Sequence, residues 1–366
     1  MMFWSLNSKL LVYNLMEVTE SVSDYKCFSE NSSLLNVFQS LEFLQLWRKI
    51  GWNPFVLTAV NGKNRYGGLL AYVPHSIPII SQFFLRIIVY FGPILEPRNN
   101  PEVLDLLLDS LCTKARQQGA MRVDVRAPIL FPNQDEVFAQ NGFVKFNPGG
   151  EYSIRINLRK RIDALWNEVK SGCRKRIKRA IRKGILVKRI ETLQELREFY
   201  QMYLMTARRR DFFPYPFRFF KVAWERLEPQ GLAQLFIVSY NQSVIAGRIN
   251  VRFGGKVTTF ISCSLKEFWH LNVNHMLLWH SIIRSKEENA EIFTIIHLQH
   301  SKPKNPNEID YYTFKTSFGG SLVKESAFYY RVVSPMKFQL LRGISNLLEK
   351  YAQNLQRIRY LARLKN

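Results

Sequence analysis

ISCSLKEFWHLNVNHMLLWHSIIRSKEE, residues 261–288, followed by DYYTFKTSFGG, residues 310–320, decides the fold. The first stretch reads as a strand, a short loop and a helix. Its apolar residues Val273, Leu277, Leu278, Ile282 and Ile283 recur at helical spacing. The second stretch sets Phe314 and Lys315 just before a Gly319–Gly320 turn, where glycine permits φ > 0 and a close backbone approach. A lysine fixed at such a strand end is a candidate stabiliser of developing negative charge.

Working outward, the same succession is found twice. NQSVIAGRINVRF (241–253) reads as a hairpin turn feeding a strand, and is followed by the helix at 273–290, the strand IFTIIHL (292–298) and the closing TFKTSFGGSLV (313–323). Earlier in the chain, NGKNRYGGLLAYV (61–73) gives the same turn and strand. The helix VLDLLLDSLCTKARQQGA (103–120), the strand MRVDVRA (121–127) and the closing FAQNGFVKF (138–146) complete it. The pattern predicts an α/β protein built from two copies of one module. The expected division is an N-terminal module over 1–157, a C-terminal module over 158–335 and a basic amphipathic helix over 336–366.

Between the copies, LWNEVKSGCRKRIKRAIRKG (165–184) predicts one basic helix. Leu165, Val169, Cys173, Ile177 and Ile181 form a stripe, with Arg174, Lys175, Arg176, Lys178, Arg179, Arg182 and Lys183 on the other faces. A second helix is expected from Leu193 to Ala207, then an aromatic and basic loop, RRRDFFPYPFRFF. SKPKNPNE (301–308) reads as a loop.

The chain has 366 residues and a formal net charge of +23, which points to an anionic partner: nucleic acid, a phosphorylated small molecule or an anionic membrane face. Cys27, Cys112, Cys173 and Cys263 are scattered and form no CxxC pair, against a disulfide framework or zinc site. His270, His275 and His280 recur every fifth residue and do not share a helical face, so no metal is expected. The N-terminal residues lack the pattern of a signal peptide. IPIISQFFLRIIVYFGPIL (77–95) is long enough to span a membrane, but Arg86 and two prolines predict buried strands instead.

These residues resemble the FemABX family of peptidoglycan-bridge aminoacyltransferases, within the wider GNAT acyltransferase fold. FLQLWRKIGW (43–52), YFGPIL (90–95), the 165–185 helix, TARRRDF (206–212), the strand and "N..L.W" helix at 261–279, and FKTSFGG match its motifs in order, from about residue 40 to 335. Two departures stand out. The acidic "YDFGG"-like strand end is replaced by IIHLQH (295–300), and there is no room between Gly184 and Thr206 for the long helical arm of some members.

The resemblance implies two tandem GNAT-like modules and transfer of an amino acid from aminoacyl-tRNA to an amine of a UDP- or lipid-linked peptidoglycan precursor. It implies no cofactor beyond the tRNA donor, and a cytoplasmic protein that can sit at the inner face of the plasma membrane. Lys315 would stabilise the oxyanion, with Phe314 holding it by packing or a cation–π contact. Arg209 would bind the acceptor's phosphates and Lys49 the nucleotide precursor, Asn274 would cap its helix or orient substrate, and Tyr312 would line the substrate site. The basic residues 174–183 would meet tRNA or anionic lipid. Arg357, Arg359, Arg363 and Lys365 of the C-terminal helix would lie on the membrane or against the protein.

Two other classes compete. One is an acyl-CoA N-acyltransferase on the same fold, acting in polysaccharide or lipid modification. Against it, FWHLNVNHML lacks the glycines that a pyrophosphate loop needs at a helix start. The other is a non-catalytic RNA- or membrane-binding protein on a decayed double module.

Overall fold

The computed structural model describes residues 16–32, 35–74, 84–146, 149–210, 212–241, 243–303 and 305–343. In chain order the elements are β1 (Glu17–Thr19), α1 (Val22–Asn31), α2 (Leu41–Lys49), β2 (Asn53–Asn61), β3 (Asn64–Val73), β4 (Arg86–Tyr90), β5 (Ile94–Leu95), α3 (Pro101–Gln117), β6 (Arg122–Pro128), α4 (Gln134–Gln140), β7 (Val144–Lys145) and β8 (Glu151–Asn157). They continue with α5 (Ile162–Glu168), α6 (Ser171–Arg182), β9 (Val187–Arg189), α7 (Leu193–Arg210), α8 (Phe217–Val222), β10 (Ala233–Tyr240), β11 (Ser243–Phe253), β12 (Lys256–Ser264), α9 (Val273–Glu287), β13 (Ile292–Leu298), α10 (Pro306–Thr316) and β14 (Ser321–Val332).

Two compact units result. One contains residues 1–31, 52–146 and 328–366; the other contains 32–51 and 147–327. A division after residue 157 is therefore corrected at three places, each with a packing cause. Strand β8 pairs with β13 and with the first half of β14, which assigns it to the second unit. Trp47 of α2 stacks on Tyr215 and Phe219, so residues 32–51 join the second unit as well. Tyr329 and Tyr330 pair with β7, and Tyr329 stacks on Phe138 at 3.7 Å, so the end of β14 returns to the first unit.

The first unit runs β2–β3 hairpin, β4, α3, β6. Asn100 caps α3 and Pro101 opens it, and the helix buries Val103, Leu104, Leu107, Leu108 and Leu111 against the sheet. Strand β4 lies parallel to β6 and pairs along its whole length, from Arg86↔Arg122 to Tyr90↔Arg126.

The second unit repeats the order with β10–β11 hairpin, β12, α9, β13, and its strands run β14, β8, β13, β12, β11, β10, β9 across the sheet. Helix α9 buries Val273, Leu277, Leu278 and Ile282 as its spacing predicts, while Ile283 is half-buried. Ser281 and Ser285 fill the rest of the inward stripe, with each hydroxyl donating to the carbonyl four residues back. Gly247 of β11 admits helix α7: a Cβ there would stand 2.3 Å from the buried Phe199 ring. The twofold α/β module is thus present in the structure, one copy per unit.

Local expectations need three corrections. Residues 165–184 are not one helix but α5 and α6, broken at Val169–Lys170, where the Lys170 N–H donates to the Ser317 carbonyl at 2.9 Å. The stripe shifts accordingly: Ala180 is buried and Ile181 is exposed. Residues 306–308 begin α10 rather than ending a loop, because Asn305 accepts from the Glu308 N–H and Pro306 sits at the first turn. The segment after Asp211 is a loop only to Pro216 and then forms α8. Of residues 77–95, 77–83 fall outside the described residues, and β4 and β5 are strands as expected. No described helix is long and apolar enough to cross a membrane. Residues 335–343 are helical, and the rest of the C-terminal helix, with Arg357, Arg359, Arg363 and Lys365, lies outside the described residues.

Candidate active site

The two units differ where their parallel strands meet. In the second unit β12 and β13 pair only from Lys256↔Ile292 to Thr258↔Thr294, and then diverge. The Thr259 hydroxyl accepts from the Ile296 N–H at 3.2 Å at the fork. Beyond it β13 bulges against β8 between Ile295 and Leu298, with His297 at φ 70°. A non-glycine residue in that region carries about 1 kcal/mol of strain. This is the IIHLQH segment, where the sequence lacks the expected glycines. Backbone carbonyls of the bulge consequently turn away from the ladder and toward side chains.

Lys315 meets those carbonyls. It lies in the last turn of α10, not at a strand end, and is 7% exposed. Its Nζ donates to the carbonyl of Ile296 and, at 3.2 Å, to that of His297. The ring beneath it is Tyr311, 4.0 Å from Nζ to the ring centre. Phe314, expected in that place, instead packs edge-on against His275 and Phe318. Burial holds the Lys315 pKa well below the ordinary lysine value, and the charges of Arg248 and Arg210 lower it further, against the pull of Glu151.

The glycines after Lys315 are a packing requirement. Both have φ +82°. A Cβ on Gly320 would lie 2.5 Å from the Arg155 carbonyl oxygen, and one on Gly319 would lie 2.8 Å from the Glu168 Cβ. The turn therefore closes against β8 and the end of α5.

At the far end of β12, Ser264 collects two of the expected residues. Its hydroxyl accepts from Asn274 Nδ2 at 3.0 Å and from Trp269 Nε1 at 2.9 Å. Its carbonyl accepts from the Arg209 guanidinium at 3.4 Å, and Arg209 also lies 5.3 Å over the Trp269 ring. Asn274 thus does not cap α9; the N-cap position is Asn272, at φ 62° and without a side-chain cap bond. Ser264 and Trp269 were missed in the sequence, and a lone Ser at a strand end carries no signal.

The remaining expected residues are dispersed. Lys49 is exposed at the last turn of α2. The Tyr312 hydroxyl donates to the Ser301 carbonyl at 2.7 Å, a loop-closing bond. Arg174 donates to carbonyls at the end of α5, including Val169 at 2.5 Å, so it caps that helix. Arg176 faces His275 Nε2 at 3.4 Å, and burial together with Arg176 lowers the His275 pKa to about 4. Lys175, Lys178, Arg179, Arg182 and Lys183 are exposed on α6.

A GNAT acetyltransferase domain model matches residues 168–296, which carries the second unit's hairpin, β12, α9 and most of β13. No curated protein matches the sequence. Among solved structures, FemX is similar at TM-score 0.67 and 14% identity, covering 88% of this chain and 99% of its own. A tandem GNAT protein from the clavulanic acid biosynthesis pathway is similar at TM-score 0.58 and 9% identity, covering 87% and 99%. L-PGS from Bacillus licheniformis is similar at TM-score 0.52 and 14% identity, covering 88% and 95%. The chain therefore has a tandem GNAT fold. The resemblance to FemABX proteins seen in its motifs is met by likeness to FemX over most of its length.

Proposed function

We propose that the protein is an N-acyltransferase whose reaction takes place at the β12–β13 fork of the second unit, and that it moves an amino acid from aminoacyl-tRNA to an amine of a peptidoglycan precursor. The observation that carries the site is the contrast between units: the parallel pair is zipped shut in the first and forked in the second. A fork at the carboxyl ends of parallel strands is where a substrate can lie against main-chain polar groups that no neighbouring strand claims.

The choice of donor rests on the start of α9. An acyl-CoA enzyme needs free backbone N–H groups there for the pyrophosphate. Here the Asn272 N–H donates to the Trp269 carbonyl and the His275 N–H to the Asn272 carbonyl. That turn takes two of the N–H groups at the helix start, and no glycine lies there to let a pyrophosphate approach those of Val273 and Asn274, while exposed cations lie on α6. A polyanion such as tRNA fits the latter. The acceptor is carried over from the motif resemblance and the likeness to FemX. In this reading the attacking amine and the acyl carbonyl meet in the fork, Arg209 holds acceptor phosphate, and Lys315 fixes the bulged wall.

The test is transfer. Purified protein is incubated with radiolabelled aminoacyl-tRNAs or with acetyl-CoA, plus candidate amine acceptors. Label passing from tRNA to an acceptor is expected; turnover that depends on the CoA thioester alone refutes the donor assignment. Unchanged turnover in Lys315→Ala removes Lys315 from the machinery.

A further inference from the structure

Arg248 is the buried charge that none of these roles uses. It sits on β11 and is 4% exposed. Among the described residues it makes no hydrogen bond and no ion pair, and its Nε is sealed from solvent without a partner. Burial lowers its pKa to about 10, which still leaves it charged at neutral pH. A lone guanidinium in the interior is costly, and proteins keep one where something else completes it.

Its position says where the completing group comes from. Arg248 is the cross-strand partner of Ser262 on β12. Ser262 is exposed, and it lies beyond Thr258, on the stretch of β12 that β13 has left. The fork therefore reaches the strand position beside Arg248. On the opposite wall Lys315 is tied to β13, and Tyr311 lies between Lys315 and Arg210, whose guanidinium is 5.5 Å from the Tyr311 ring centre. We propose that Arg248 is a binding residue for a carboxylate, and that the fork takes an amine acceptor that carries a free carboxylate near its reacting end.

A carboxylate is favoured over a phosphate on charge and shape. The planar fork of arginine matches two carboxylate oxygens. Arg248 is the cation of the fork that is both buried and without a partner among the described residues, and its single charge matches a monoanion; Arg210 is exposed, so solvent screens it. The assignment rests on the acyltransferase reading of the fork, but it is tested by binding and not by turnover.

The probes are Nε-acetyl-L-lysine, its carboxamide and inorganic phosphate, titrated into the full-length protein by calorimetry. The wild type is expected to bind the acid about tenfold more tightly than the amide. Arg248→Met is expected to abolish that preference and leave amide binding as it was. Arg248→Met is also expected to raise the urea midpoint of the ligand-free protein, because it removes an uncompensated buried charge. A lower midpoint in Arg248→Met means that the charge has a structural partner and overturns the proposal. So does equal binding of acid and amide by the wild type, which is read without any variant. Phosphate binding more tightly than the acid, and lost in the variant, overturns the carboxylate assignment. A clear acid preference in a protein that transfers nothing from tRNA or CoA refutes the proposed function and leaves this inference standing.

Discussion

Replacing Lys315 by Met keeps the unbranched apolar stem, one atom shorter, and removes the titration. The folded protein holds the Lys315 pKa below the value of an unfolded lysine, about 10.4. Between the folded and unfolded values the unfolded chain binds one more proton, so stability rises with pH there and is lost as pH falls through the folded value. The slope is 2.303RT per proton, about 1.4 kcal/mol per pH unit. Lys315→Met has no such proton to take up. The assay is urea unfolding of both proteins at pH 7.0, 7.75 and 8.5. The wild type is expected to gain on the variant as pH rises, by up to about 1.4 kcal/mol per unit. Burial raises the Cys263 and Tyr25 values, but both proteins share these groups and they drop out of the difference. His275 and His280, held at about 4, titrate below this range in the folded state and also cancel. A difference that stays flat over the whole range means that Lys315 stays charged in the folded protein up to pH 8.5, and refutes a folded value held well below the ordinary one.

Three further outcomes follow from the geometry. Gly320→Ala puts a methyl group 2.5 Å from the Arg155 carbonyl oxygen at φ +82°, and is expected to cost about 3 kcal/mol in urea unfolding. Ser264→Ala leaves Trp269 Nε1 and Asn274 Nδ2 without their acceptor, and should cost about 1–3 kcal/mol and raise KM more than it lowers kcat if Arg209 and Asn274 bind acceptor. Changing Lys175, Lys178 and Arg179 together to Gln should weaken tRNA binding, with the log–log salt slope falling by about 2–3 if each meets a phosphate, and leave the urea midpoint within about 0.5 kcal/mol.

The module repeat was legible because it is written in periodicity and turn chemistry: Asn61–Gly62 and Asn241 each mark a hairpin, and the α9 stripe is apolar at nearly every predicted place. The candidate site was legible in part. Lys315, Asn274 and Arg209 do lie along the fork or at the end of β12. Their partners were not, because they are main-chain carbonyls at a bulge, a serine hydroxyl and a tryptophan, and none leaves a pattern in a single sequence. Adjacency in sequence suggests Phe314, but neighbours on a strand point to opposite faces, and on a helix it is the ring four residues back, Tyr311, that lies beneath the lysine. The helix signal was there in Asn305, Pro306 and Glu308, masked by two prolines that also suit a loop. The broken helix at Val169 could not be read from composition, since an apolar residue every fourth place continues across the break.

The path of the chain through its two units has a practical corollary. Residues 32–51 are lent forward and residues 328–366 are handed back. No single scission yields two complete halves, and a fragment such as 158–335 lacks both α2 and β8. An element lent in each direction means that neither unit can be cut from the chain as one continuous segment.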